Sequence, residues 1–382
     1  MNEAVPATAT AQERPHATKP REPIPIVVDT DIGDDIDDTW AIALLLRSPE
    51  LSPKLILTSN GDTRKRAQIL AKFLTLAGRS DIDIGIGPSS AAGSSSSAFM
   101  KAGPGSHYDL WAKDFDLSGY GPGKVHQDGI QALLHLAASY PAVTSPLAEP
   151  QEAGESEDEE GRDGGLTLLA LAPLSNVAAA LRRNPLVAQK FRLVGMLGSI
   201  ARPQRLEYNV AQDVEAAKLV LGAAWRKPLL ITPLDTCGLA QLNEERYALL
   251  RAKAPTSPLC QALMECSHAW ALGMPGMVRA KPLWRSVAPL PDDAQPLVNE
   301  ESSQGSQRVL AKSSTLFDCV AVYLAFSAAL LAVERLRLKV DAVGRTIVLK
   351  DGKEEEGADV LAATSWKDLN AFHDLLVDRL LS

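Results

Sequence analysis

Apolar residues along this chain come in short blocks, and amphipathic stretches and polar turns separate them. Ile24-Pro25-Ile26-Val27-Val28 is the first block and predicts a buried strand. An acidic stretch leads from it into Thr39–Leu46, an apolar segment of helix length with a carboxylate at or near its N-cap. The alternation then recurs. Leu55–Ser59, Ile82–Ile86, Leu166–Leu171, Phe191–Leu197 and Pro228–Ile231 read as strands, while Arg64–Ala77, Gly129–Ser139 and Val177–Arg182 read as helices. Strands alternating with helices predict an α/β fold with a doubly wound, mostly parallel central sheet flanked by helices on both faces. Near the C-terminus, Arg335–Val340 and Thr346–Leu349 predict a small hairpin around Val343-Gly344, and Trp366–Leu381 predicts a closing helix.

Two polar stretches interrupt this pattern and read as surface insertions, at about residues 146–165 and 291–310. Residues 1–22, rich in Ala, Thr, Pro and charge, read as a disordered tail without a signal-peptide core, which leaves 23–382 as one domain. The net charge of −8 argues against a nucleic-acid backbone as partner, and the run Glu149–Glu160 carries much of it. Cys237, Cys260, Cys266 and Cys319 show no paired spacing and are expected as free thiols. With no apolar run of membrane-spanning length, the expected compartment is the cytoplasm and no membrane partner is expected.

Candidate chemistry concentrates where the first strand ends. Six aspartates fall between Asp29 and Asp38, at the carboxyl end of that strand, where open α/β sheets bind ligands. Carboxylates crowded into one loop repel one another unless a cation or a raised pKa relieves them. A cluster of oxygen donors suits a hard divalent cation, calcium or magnesium, rather than zinc.

Asp29-Thr30-Asp31-Ile32-Gly33, followed by Asp37-Asp38 and an apolar helix, resembles the opening signature of the inosine–uridine-preferring nucleoside hydrolase family. Two extra residues precede the last aspartate pair, so Asp34 and Asp35 are alternatives to Asp37 and Asp38. The resemblance implies calcium-dependent hydrolysis of the N-glycosidic bond of a ribonucleoside or similar N-ribosyl compound. In that reading Asp31 is general base and calcium ligand, Asp38 a second ligand, Asp37 a ribose contact and Asp29 a brace behind the loop.

Four later segments resemble the family in the same order. Asp62, in Ser59-Asn60-Gly61-Asp62, matches a sugar-facing position, although a plain strand-to-helix turn accounts for it equally. Leu171, before Ala172-Pro173-Leu174-Ser175-Asn176, matches a residue whose backbone carbonyl ligates calcium, and Asn176 could instead cap the next helix. Glu207-Tyr208-Asn209, with Asp213 beyond it, matches a segment whose Glu and Asn hold ribose hydroxyls. Asp318, in Thr315-Leu316-Phe317-Asp318, matches the last calcium ligand, at the start of a buried helix.

The sequence also departs from the family. Phe317 stands where purine-accepting members carry a proton-donating His, and a Phe has no proton to give. His107, His126 and His268 are the remaining candidates, with His126 nearest to a family-like loop. Trp111, Trp270 and Trp284 are candidate base-stacking residues. The partner implied is a small-molecule nucleoside, with a homo-oligomer, dimer or tetramer, allowed. Two alternatives from other classes are a haloacid-dehalogenase-like magnesium phosphatase, in which Asp29 is the nucleophile, and a catalytically impaired nucleoside-binding homologue.

Overall fold

The computed structural model describes residues 22–89, 111–143, 165–201, 205–273, 311–349 and 357–382. The expected tail and both insertions lie outside the described residues, apart from Glu22 and Gly165, as do His107 and Trp284.

One ten-stranded sheet organises the chain. Its strands are β1 (Ile24–Thr30), β2 (Leu51–Thr58), β3 (Asp83–Ile86), β4 (Val125–His126), β5 (Leu166–Ala170), β6 (Phe191–Met196), β7 (Leu229–Thr232), β8 (Leu331–Val340), β9 (Thr346–Val348) and β10 (Ala358–Trp366). They lie in the order β4-β3-β2-β1-β5-β6-β7-β10-β8-β9. Every pair from β4 across to β10 is parallel, and β8 and β9 add an antiparallel margin. The chain begins at the centre with β1, steps outward through β2, β3 and β4, then returns to the other side of β1 with β5. Strand order therefore reverses between β1 and β5, and the loops leaving their carboxyl ends diverge there to leave a crevice.

Between the strands run α1 (Asp37–Leu46), α2 (Thr63–Leu76), α3 (Gly129–Ala138), α4 (Ser175–Arg183), α5 (Tyr208–Ala211), α6 (Val214–Leu221), α7 (Leu234–Cys237), α8 (Glu244–Lys253), α9 (Pro258–Gly273), α10 (Phe317–Phe326) and α11 (Leu369–Leu381). One face of the sheet packs against α1, α2 and α8 to α11 around Trp40, Phe73 and Phe372, all fully buried. The other face packs against α3, α4 and α6 around Phe191. With cover on both faces, a central strand such as β5 is buried at every residue, which is why it reads as a continuous apolar block instead of alternating.

The small hairpin is present, but it is joined to the main sheet by β10, which pairs parallel with β7 and antiparallel with β8. Trp366 ends this strand, and the closing helix starts after Asp368, whose carboxylate caps it by accepting from the Ala371 N–H. Ala358–Trp366 carries three alanines, which favour no strand locally, and partners on both sides supply its order. Cys237, Cys260, Cys266 and Cys319 are free and buried. No helix among the described residues is long and apolar enough to cross a membrane.

Candidate active site

The acidic loop connects β1 to α1, directly over the crevice. The helix starts at Asp37 instead of Thr39, so Asp37 and Asp38 occupy its first turn, where the exposed N–H groups and the helix dipole favour negative charge. Thr30 Oγ1 donates to Asp38 and fastens the two ends of the loop together. From α2, the buried Arg66 reaches beneath the loop. It donates to the carbonyls of Asp31, Ile32 and Asn60 and pairs with Asp34 at 3.2 Å.

Asp318 enters from the first turn of α10, a helix buried along most of its length. Carboxylate oxygens of Asp37, Asp38 and Asp318 lie within 4.8 Å of one another, and all three side chains are buried. Burial, and then repulsion from neighbouring aspartates, pushes all three well above the usual carboxylate range. Asp31 stands beside the trio and adds to that repulsion. Its own pKa rises to about 7 through burial, against the opposing pull of Arg66. Burial likewise raises Asp29 to about 8, against the opposing bond from Asn176. One Asp29 oxygen accepts from the Asn176 amide at 2.8 Å, and the other is buried without a partner. Concentrated, water-poor oxygen donors of one sign suit a hard divalent cation, which would lower every one of these pKa values. The residues present fit such an ion.

Across the crevice, the Glu207 carboxylate accepts from the backbone N–H groups of Gly198, Asn209 and Val210 and caps α5. Burial raises it to about 7 in spite of those three donors, and Asp31 contributes to the rise, which puts the two sides of the crevice within electrostatic reach. The Asn209 amide donates to the carbonyls of Leu171 and Met196, each at 3.0 Å. Leu171 O thereby accepts from the Glu207–Asn209 side of the crevice and has a second lone pair.

Asp29, Asp31, Asp37, Asp38, Leu171, Glu207, Asn209 and Asp318 are thus brought together from four separate stretches of chain. Asp62 is not. Its side chain is 55% exposed, and it caps α2 by accepting from the Lys65 N–H. Consecutive left-handed residues, Asn60 (φ 62°) and Gly61 (φ 66°), turn the chain so that Asn60 faces the acidic loop and Asp62 faces away. His126 is not brought in either. It pairs at 2.8 Å with Asp83, at the amino end of β3, whereas the acidic cluster sits at the carboxyl ends. Asn176 does not cap α4; it spans from Asp29 to the Thr58 carbonyl. Trp111 donates to Glu265 and lies under Lys72, and Trp270 is buried in the core. Four further residues complete the site: Asp34, which the sequence offered only as an alternative to the Asp37-Asp38 pair, and Asn60, Arg66 and Tyr208, which had no assigned role. Asn60 and Tyr208 lay inside the motifs that the sequence singled out, whereas Arg66 carried no signal.

A parallel sheet with an acidic crevice at its switch point, facing a Glu-Tyr-Asn segment, marks an α/β protein whose buried carboxylates could hold a hard cation. The chain belongs to the inosine-uridine preferring nucleoside hydrolase family, whose sequence profile matches residues 26–374. It is an enzyme of the class that hydrolyses N-glycosyl bonds. Among its relatives, the pyrimidine-specific ribonucleoside hydrolase RihA of Citrobacter koseri is 28% identical over 250 residues, covering 63% of this chain and 70% of that protein. RihA of Salmonella arizonae is 30% identical over 254 residues, covering 63% and 70%. Among solved structures, a plant nucleoside hydrolase, PpNRh1, superposes with a TM-score of 0.67 at 18% identity, over 94% of this chain and 99% of that one. The purine-preferring ribonucleoside hydrolase from Gardnerella vaginalis gives 0.65 at 18% identity, over 94% and 98%.

Proposed function

We propose that this enzyme hydrolyses the N-glycosidic bond of a ribonucleoside, or of a similar N-ribosyl compound, with calcium as its metal. The observation that carries the reading is the convergence of Asp31, Asp37, Asp38 and Asp318 on one buried spot opposite Glu207 and Asn209. Asp31, Asp38, Asp318 and the Leu171 carbonyl would hold the ion, with Asp37 adjoining. When bound, calcium supplies charge neutralisation and Lewis-acid polarisation at the sugar.

The chain's own residues do the rest. Asp31, held beside the ion, takes the proton of the attacking water as general base. Asp37, Glu207 and Asn209 receive the ribose hydroxyls and fix the sugar's orientation, so that attack is effectively intramolecular. Positive charge developing on the ring, in an oxocarbenium-like transition state, is stabilised by carboxylates already in place. Phe317 offers no proton to the departing base and His126 is committed to Asp83, so neither position serves as leaving-group acid.

A panel of uridine, cytidine, inosine and adenosine, with chromatography of the base and a reducing-sugar assay, tests the reading. Base and ribose are expected in equal amounts from at least one nucleoside, with the reaction stopped by a chelator and restored by calcium. Phosphate release from a phosphomonoester without ribose would instead support the phosphatase alternative. Nucleoside binding without turnover, at saturating calcium, would support the binding homologue.

A further inference from the structure

Asn60 is held through both its backbone carbonyl and its side-chain amide nitrogen. Its backbone carbonyl accepts from Arg66 Nε at 2.6 Å, and its amide nitrogen donates to Asp31 Oδ2 at 3.3 Å and to the Tyr208 hydroxyl at 3.0 Å. An amide NH2 carries two hydrogens, so both are used. The Tyr208 oxygen accepts one of them and must therefore turn its own proton elsewhere. It donates to Asp34 Oδ2 at 2.9 Å. The same Asp34 oxygen pairs with Arg66, whose other donors grip the Asp31 and Ile32 carbonyls. The ring of contacts closes through Asp31, Asn60, Tyr208, Asp34 and Arg66.

This ring spans three elements. Asp31 and Asp34 lie on the β1–α1 loop, Asn60 on the β2–α2 turn with Arg66 in the first turn of α2, and Tyr208 on the Glu207–Asn209 segment facing the crevice. We infer that Arg66, Asp34, Tyr208 and Asn60 form a positioning relay that sets the orientation of the Asp31 carboxylate and ties it to the seating of the Glu207–Asn209 segment. The inference rests on the reading of Asp31 as base and of Glu207 and Asn209 as sugar contacts. None of the four is a catalytic residue; each acts through Asp31. Arg suits the junction because its planar fork can address several carbonyls and a carboxylate at once, which a Lys ammonium cannot do.

Tyr208→Phe removes a single oxygen and keeps the ring. A misplaced base costs up to about 10²-fold in rate, so a fall in kcat toward that limit is expected, with the melting temperature unchanged. Arg66→Lys should show the same split more strongly, and if that variant fails to fold, Tyr208→Phe still gives the reading. A crystal structure of Tyr208→Phe is informative whatever the turnover. In it the Asn60 amide and Asp31 carboxylate should have turned out of the 3.3 Å contact they now make. An unaltered kcat beside an active wild type overturns the relay, as does a Tyr208→Phe structure with that contact intact. A parallel loss of melting temperature also overturns it, by showing a general structural role. Absence of ribose release by the wild type counts instead against the hydrolase reading, and the crystal structure then decides the relay alone.

Discussion

Asp31→Asn is expected to fold, to bind nucleoside and to lose about 10²- to 10⁴-fold in kcat, the range that a positioned general base supplies. Asn is nearly isosteric with Asp, so the Asp31 backbone carbonyl keeps its contact with Arg66 and the loop keeps its path. What disappears is the ability to accept a proton, with one negative charge of the ion's cradle, while the Asn oxygen can still face the ion. The variant also removes one charge from a crowd of buried carboxylates that repel one another. The chelator-treated variant should therefore melt at a higher temperature than chelator-treated wild type at pH 8. Loss of activity with gain of stability separates a catalytic carboxylate from a structural one, whose removal would lower both. Steady-state kinetics on the preferred nucleoside, with thermal denaturation of the same preparations, checks the pair of outcomes.

The second large effect is the pH dependence of stability with and without calcium. Asp29, Asp31 and Glu207 stand at about 8, 7 and 7 in the fold, chiefly through burial, against ordinary values of 3.8, 3.8 and 4.5. Groups raised in this way hold protons in the folded chain that the unfolded chain has already released. Their contribution is fully present below about pH 4 and is lost as pH rises through about 8, at about 1.4 kcal/mol per pH unit for each group within its window. Chelator-treated protein should thus lose melting temperature steadily between pH 5 and 8.5. Calcium binds the deprotonated cluster, so its stabilising effect should be small at pH 5 and large at pH 8, approaching about 4 kcal/mol at a thousandfold excess over Kd. A melting temperature that is flat with pH in chelator, or a calcium effect equal at both ends, would contradict the charge accounting.

Much of this was legible in the sequence because the central strands are buried on both faces. Val27-Val28 and Leu168-Leu169 can only be apolar there, and the aspartates that follow Val28 stand out against them. Asp318 was legible for the same reason, as the one acid in the run Phe317–Phe326. Arg66 was not. A charged residue in an amphipathic helix is by default a solvated one, and only the acidic loop folding over α2 buries it. Asp62 was singled out because it matches the family's sugar-facing position after Gly61, with a plain strand-to-helix turn as the equal alternative. The left-handed turn at Asn60 and Gly61, which decides between them, is a backbone event that residue types only permit. β10 was missed because its order comes from β7 and β8 on either side, and no local pattern encodes a partner.

Calorimetric titration of calcium into chelator-treated wild type, Asp38→Asn and Asp318→Asn at pH 7.5 bears most directly on the whole account. One ion per chain is expected for the wild type. Each variant should lose more than about 10²-fold in affinity, since removing a group that merely orients a ligand already costs about 10- to 100-fold. No binding by the wild type, or wild-type affinity in Asp318→Asn, would mean that these carboxylates do not share a cation.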